Sequence, residues 1–144
     1  MYNEVVTQGK EKSVPDALRV EKAVLEGWLS VVDLTAGEKK LAQSLAARSS
    51  GLSRPDCETL ACAKERRLTL LMEDRRGRTT ARAYTIPYIT IQVFPLYCLI
   101  YGKLSAEQCD ALLVNIGQAM HTDLAVLEAL RAAAREIEQA RGKE

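Results

Sequence analysis

Histidine is nearly absent from this chain of 144 residues, which contains only His121. A single histidine cannot provide the pair of imidazoles that acid–base cleavage of RNA uses, and no serine or cysteine triad can be argued from it. We expect His121 to be a helix cap or a surface residue. If the chain is catalytic, carboxylates that hold a metal ion are the plausible machinery.

Strong net charge, zinc motifs and phosphate-binding glycine loops are also missing. The net charge of +1 gives no global basic field, so any binding of nucleic acid must come from a local patch. The eight glycines are scattered along the chain. The four cysteines lack zinc spacing, and we expect buried free thiols in a reducing cytoplasm. A long-range disulfide such as Cys98–Cys109 is the alternative.

Uninterrupted apolar runs are absent as well. Residues 1–12 contain none, so no signal peptide is predicted. Residues 83–101 carry no charged side chain and approach the length of a membrane span. However, Pro87 and Pro95 interrupt this stretch and favour a strand followed by a new helix. We therefore predict that the chain has no membrane segment.

The hydrophobic pattern predicts an α/β fold. The length and the 47% hydrophobic content fit a single domain over residues 1–144. Strands that alternate with helices imply a parallel sheet with helices on its faces. The predicted strands are residues 28–34, 68–72 and 86–91. The predicted helices are residues 14–27, 36–48, 54–66, 75–84, 94–101, 105–119 and 123–141.

Capping residues mark several of the predicted helix ends. Polar residues whose side chains can accept a hydrogen bond from a backbone N–H precede the first apolar residues of these helices. One glycine follows the predicted end of a helix. The predicted caps are Ser13 with Asp16, Thr35, Ser53 with Asp56, Gly102, Ser105, and Thr122 or Asp123.

Acidic residues flank the predicted helix 54–66 and strand 68–72. A helix running back along a strand brings its N-terminus to the carboxyl end of that strand, so Glu58 and Asp74 are expected to lie close together. Two carboxylates at this edge of a sheet suit Mg²⁺ or Mn²⁺. Asp56 is expected to be engaged by Ser53. The alternatives are a solvated Glu58 near the helix N-terminus and solvated loop charges at Glu73 and Asp74.

A dense basic cluster follows Asp74. Arg75, Arg78 and Arg82 have the spacing of one helical stripe, and we call them the arginine stripe. Arginines that bind phosphate beside a carboxylate that holds a metal ion would suit a nuclease. The alternative is a solvated basic face of a helix.

The same residues carry a family resemblance. The run Asp56-Cys57-Glu58-Thr59-Leu60-Ala61-Cys62-Ala63, then Leu70 to Arg78, then Ala81-Arg82 and Ile86-Pro87, resembles the PIN domain. Its pattern is closest to the archaeal and bacterial branch that reads roughly GExEAIxLA … LLxDDxxGRxxAxxxGIP. The resemblance implies a Rossmann-like sheet in three α/β/α layers and a Mg²⁺- or Mn²⁺-dependent ribonuclease, often the toxin of a toxin–antitoxin pair.

The resemblance also assigns roles to individual residues. It implies that Glu4, Glu58 and Asp74 hold the metal ion, whose activated water hydrolyses the RNA phosphodiester. The arginine stripe (Arg75, Arg78 and Arg82) would position the RNA. An antitoxin-like protein would be a further partner.

The chain departs from the family pattern in two respects. Pro55 and Thr90 stand where the family has glycines, and the family's opening strand with its first aspartate does not appear. Three interpretations follow: a misplaced start codon or a trimmed chain, a degenerate relative that no longer cuts RNA, or a partner chain that completes the sheet. We predict a homo-oligomer in which helix 123–141 is an association element. The alternative function is a non-catalytic RNA-binding or protein-interaction module.

Overall fold

A computed structural model describes residues 2–49 and 51–142, except for the side chains of Asn3 and Glu4. The chain divides into two compact units, Met1–Glu65 and Arg66–Glu144, called unit 1 and unit 2. The division falls one residue before the end of a helix that began in unit 1.

Unit 1 is helical throughout its regular part. A π-helical turn (Asn3–Thr7) leads into α1 (Gln8–Glu11), and α2 (Pro15–Leu25), α3 (Ala36–Arg48) and α4 (Arg54–Arg66) follow. The helical segment before residue 12 was not predicted, because its only buried apolar side chain among the described residues is Val6. Gly9 permits α1 to approach α2 closely, since a Cβ on Gly9 would lie 2.8 Å from the Cβ of Ala17.

The strand predicted over residues 28–34 is wrong. Residues 30–35 contain neither helix nor bend, and the backbone groups of Ser30, Val31, Val32 and Leu34 make no hydrogen bond within the described chain. A β-strand is stabilised by the neighbour that pairs with its N–H and C=O groups. The β-branched pattern of this segment therefore did not suffice to form a strand.

Two of the three helix caps predicted in unit 1 are confirmed. Thr35 and Glu38 form a capping box, with the Thr35 hydroxyl 3.2 Å from the Glu38 amide nitrogen. The capping box of Ser53 and Asp56 is also confirmed. The cap predicted at Ser13 is wrong, because Ser13 adopts a left-handed conformation (φ 55°) where α1 ends, and Val14 precedes α2.

Unit 2 opens with a β-α-β motif. Strands β1 (Leu70–Leu71) and β2 (Tyr88–Ile89) are parallel, and α5 (Arg75–Ala83) connects them. Leu70 donates its N–H to the carbonyl of Pro87 at 2.8 Å, and Met72 donates to Ile89 at 3.0 Å. The predicted strands 68–72 and 86–91 are therefore confirmed in position and in parallel direction, although both are shorter than predicted.

Helices α6 (Phe94–Ile100), α7 (Ala106–Ala119) and α8 (Leu124–Arg141) complete unit 2. They share an apolar core of buried residues that lie on all three helices: Leu96, Leu99, Cys109, Leu113 and Ala134. The ends of these helices follow the predicted caps. They are a capping box at Ser105, a side-chain cap at Asp123 and a left-handed Gly102 (φ 66°) after α6.

The described residues thus form eight α-helices and one two-stranded parallel sheet. The two parallel strands and the crossover helix of the prediction are present. However, helices dominate the fold, and the strand predicted over residues 28–34 is not formed. None of the described helices is long and apolar enough to cross a membrane. Residues 83–101 instead include β2 and α6, as Pro87 and Pro95 suggested.

Candidate functional site

Asp74 lies at the carboxyl end of β1 and begins α5. Its Oδ2 accepts a hydrogen bond from the Gly77 N–H at 2.6 Å, so Asp74 is the N-cap of this helix. Its Oδ1 has no hydrogen-bond partner among the described residues. One carboxylate oxygen is therefore engaged by the fold while the other stays available to a ligand.

The turn from β1 into α5 is held by a close contact. A Cβ on Gly77 would lie 2.5 Å from the Sδ of Met72, and both residues are buried. Because glycine has no side chain, Met72 can pack directly against the first turn of α5. This packing fixes the point at which the side chain of Asp74 emerges.

Glu73 is a site residue that sequence analysis treated only as a loop charge. Its Oε1 accepts the N–H of Ile91, just after β2, and its carbonyl accepts a hydrogen bond from the Arg78 guanidinium. Glu73 therefore links the carboxyl ends of the two strands. The signal in the sequence was its position beside Asp74, where strand alternation sends neighbouring side chains in different directions.

The arginine stripe lies on α5, as predicted. Arg82 donates to the Tyr88 hydroxyl at 2.9 Å, and Arg78 is half-buried through its contact with Glu73. Arg75 is exposed, and its guanidinium makes no hydrogen bond or ion pair with the described residues. One guanidinium is thus free for a ligand, and two are held over the β-α-β motif.

Glu58 lies on α4 in unit 1. Its Oε1 accepts a hydrogen bond from the Arg54 Nε at 2.8 Å, and 36% of its side chain is exposed. Asp56 is engaged by Ser53, as expected, with the Ser53 hydroxyl 2.6 Å from its Oδ2. Glu58 and Asp74 belong to different units, and their convergence stays a prediction.

Metal coordination requires several ligands in one place. The side chain of Glu4 lies outside the described residues. Within the described part of the chain, no three side chains of His, Cys, Asp or Glu come together as a metal site. The uncommitted oxygens of Asp74 and Glu58 do not by themselves make a complete site for Mg²⁺ or Mn²⁺.

The cysteines are free thiols, as predicted. Burial raises the pKa of the Cys57 thiol above its usual value, and the charge of Asp56 raises it further. Burial likewise raises the pKa of Cys109, with smaller contributions from Asp110 and Cys98. A raised pKa keeps a thiol protonated, so neither residue has the character of a nucleophile.

The sequence of this chain matches the model of a known protein family. The model of the DUF3368 family, described as a PIN domain, matches residues 1–93. No match was found among the curated proteins or among the solved structures. The matched part contains Glu4, Glu58, Asp74 and the arginine stripe, and it ends just before α6. It confirms the resemblance carried by the acidic and arginine-rich motifs.

Proposed function

This chain belongs to the DUF3368 PIN domain family, and we propose that it acts on RNA as a metal-dependent ribonuclease of toxin type or as the remnant of one. The observation that carries this proposal is the arrangement at the end of β1. There, Asp74 caps the helix that presents the arginine stripe. Ligands of open α/β sheets bind at the carboxyl ends of the strands, where these groups lie.

The arginine stripe supplies what an RNA backbone needs. A guanidinium offers several N–H donors in a planar fork that matches phosphate oxygens, and it stays charged at any physiological pH. The exposed Arg75 and Arg82 would bind phosphate, with Arg82 already oriented by Tyr88. Such contacts position RNA without reading its sequence.

PIN domains generally bind divalent metal ions, and we propose Glu4, Glu58 and Asp74 as the residues that would hold Mg²⁺ or Mn²⁺ here. Within the part of the chain that the structure describes, no three side chains of Asp, Glu, His or Cys lie close enough together to form a complete ion site. RNA binding is therefore the part of the activity that the described geometry supports most strongly.

The test compares the wild-type chain with Asp74→Asn, using mixed single-stranded RNA with and without Mn²⁺. Asparagine is as good an N-cap as aspartate, so this change removes the charge and keeps the start of α5. RNA binding without cleavage by either protein would support the remnant. Mn²⁺-dependent cleavage that is lost in Asp74→Asn would support the ribonuclease.

Two results of that experiment would count against the proposal. Cleavage that continues unchanged in Asp74→Asn would place the active site elsewhere. An absence of RNA binding at low salt would contradict any action on RNA. The latter result would favour the second candidate, a protein-interaction module.

A specific observation favours that second candidate. Several large apolar side chains near the end of α2 are exposed, including Leu25 (82%) and Trp28 (81%). Exposed apolar patches of this kind mark interaction surfaces. We propose a homo-oligomer and an antitoxin-like protein as the partners to be tested there.

The wider setting of the β-α-β motif is also part of the proposal. By its family, the motif would belong to a Rossmann-like sheet between two layers of helices, within a single domain over residues 1–144. The free thiols fit a reducing cytoplasm, which we propose as the location of the protein.

A further inference from the structure

Aromatic side chains follow one face of α6. Aromatic residues make up only 5% of the chain, yet Phe94, Tyr97 and Tyr101 have the spacing of one helical stripe, and we call them the aromatic stripe. The ring centres of Tyr97 and Tyr101 lie 4.7 Å apart, and Tyr101 is 61% exposed. The family match ends at residue 93, so the aromatic stripe lies outside the matched part of the chain.

An apolar groove of about 450 Å³ adjoins the aromatic stripe. Phe94 and Tyr97 line it together with Leu71 of β1 and Ile89 of β2. Leu71 is 47% exposed, so the groove leaves apolar surface accessible. Grooves of this volume with apolar and aromatic walls are suited to small organic groups.

The groove lies on the face of the sheet opposite α5. Leu71 pairs with Ile89 across the two strands, so both side chains point to the groove face. Leu70 and Met72 alternate with Leu71 along β1 and point to the other face, where Met72 packs against Gly77 of α5. The groove is therefore a surface separate from the face that α5 covers.

A positive charge lies at the groove. Arg67 is the charged residue among those that line it. It is exposed, and its guanidinium makes no hydrogen bond or ion pair with the described residues. A free guanidinium beside aromatic rings complements a ligand that combines phosphates with planar bases, which is the chemistry of a single-stranded nucleic acid. An apolar protein segment would cover the rings and leave this charge without a partner.

We propose that the groove and the aromatic stripe bind unpaired bases of RNA, with Arg67 on a neighbouring phosphate. Aromatic rings accept any base, because every base has a flat face that can stack. Bases in a duplex are already stacked on one another, so this surface selects single strands. The assignment rests on the proposed action on RNA, and it adds contacts to the bases to the phosphate contacts of the arginine stripe.

The test separates contacts to bases from contacts to phosphates. One labelled probe is an oligouridylate of about 12 nucleotides, and the other is an oligomer of equal length in which every nucleotide is abasic. The wild-type chain should bind the oligouridylate about tenfold more tightly than the abasic oligomer, as measured by fluorescence anisotropy at one fixed low salt concentration. Equal affinities for the two probes would overturn the base-binding groove.

Substitutions at Tyr101 test the role of the ring. Tyr101→Phe keeps the ring and should bind both probes as the wild type does. Tyr101→Leu keeps apolar surface without a ring, so it should weaken binding of the oligouridylate by about fivefold and leave the abasic oligomer unaffected. The matched control is Ile100→Ala, which removes a neighbouring apolar side chain (56% exposed) that lies off the stripe. That variant should bind as the wild type does.

The outcomes distinguish the groove from the proposed function. An unchanged affinity of Tyr101→Leu for the oligouridylate would overturn the base-binding surface and would favour an apolar protein partner there. The Arg75→Gln, Arg82→Gln double variant should weaken binding of both probes and keep the ratio of their affinities. If neither probe bound to the wild-type chain at low salt, the action on RNA would be contradicted, and the groove with it.

Discussion

The segments 28–34 and 68–72 were both predicted to be strands, and only the second contains one. The first has the stronger β-propensity, with Trp28, Val31 and Val32, whereas the second is a run of Leu, Thr and Met. The difference is the partner. Residues 70–72 donate hydrogen bonds to β2 across the α5 connection, and residues 30–32 have no such neighbour in the described chain. Pairing, more than local propensity, decides where a strand forms.

The two units also differ in how easily a closely packed glycine can be replaced by alanine. Gly9→Ala in unit 1 would bring a Cβ to 2.8 Å from the Cβ of Ala17, which is fixed to its backbone. Gly77→Ala in unit 2 would meet the flexible end of Met72. We expect Gly9→Ala to destabilise by about 2 kcal/mol, and Gly77→Ala by about 1 kcal/mol or less, as measured by urea unfolding.

A compensating substitution at Ala17 provides the control for Gly9→Ala. Ala17→Gly added to Gly9→Ala restores the space between α1 and α2, and it should recover part of the lost stability despite the cost of glycine in a helix. Equal losses for Gly9→Ala and Gly77→Ala would show that the rigidity of the opposing atom does not control the effect.

Two substitutions at Asp74 distinguish the effect of its hydrogen bond to Gly77 from the effect of its charge. Asp74→Ala should cost about 1 kcal/mol, because the Gly77 N–H loses its acceptor, whereas Asp74→Asn should be close to neutral. Thermal unfolding of the two variants measures the difference. Equal losses in both would mean that the charge of Asp74, rather than its hydrogen bond, stabilises α5.

A substitution at Thr85, in the connection from α5 to β2, measures the cost of a left-handed backbone conformation. It has a left-handed backbone (φ 57°), which is strained for a β-branched residue, while its N–H bonds to the Arg82 carbonyl. Thr85→Gly should therefore stabilise the protein by about 1 kcal/mol. His121→Gly, at a second left-handed position (φ 49°), should give a smaller gain because histidine is not β-branched. A loss of stability in Thr85→Gly would show that its side chain makes a stabilising contact.

The smallest effect is expected from the Asp110–Arg131 pair, which joins α7 to α8 with N–O distances of 2.6 and 3.0 Å. The hydrogen bonds from Arg131 hold the pKa of Asp110 below its ordinary value. Because the pKa is lowered in the folded state, this stabilisation is present above the unfolded pKa near 4 and is lost as the pH falls through the folded value.

Asp110→Asn should therefore lower the melting temperature by a few degrees at about pH 7, since a partly exposed pair contributes at most about 1 kcal/mol. The decrease should be smaller at about pH 2, because the wild-type carboxyl takes up a proton as the pH falls through its lowered folded-state pKa. An equal decrease at both pH values would indicate lost packing instead of lost charge.

Much of unit 2 could be predicted because its signals are local. Ser105, Asp123 and Gly102 mark helix ends through hydrogen bonds and backbone conformations that need only neighbouring residues. The position of Asp74 and the arginine stripe followed from the same kind of signal. The sequence could not predict whether residues 28–34 pair, because pairing depends on a distant partner. The bond from Ile91 to Glu73 was missed for the same reason.

We propose that the arginine stripe beside Asp74 binds the RNA backbone. The most direct measurement is the salt dependence of binding to single-stranded RNA, for the wild-type chain, Arg75→Gln with Arg82→Gln, and the control Arg19→Gln. Arg19 is an exposed arginine in unit 1. Removing two phosphate contacts should reduce the slope of log K against log salt by about 1.4, while the control leaves it unchanged. Slopes that are equal in the wild type and the double variant would contradict the claim.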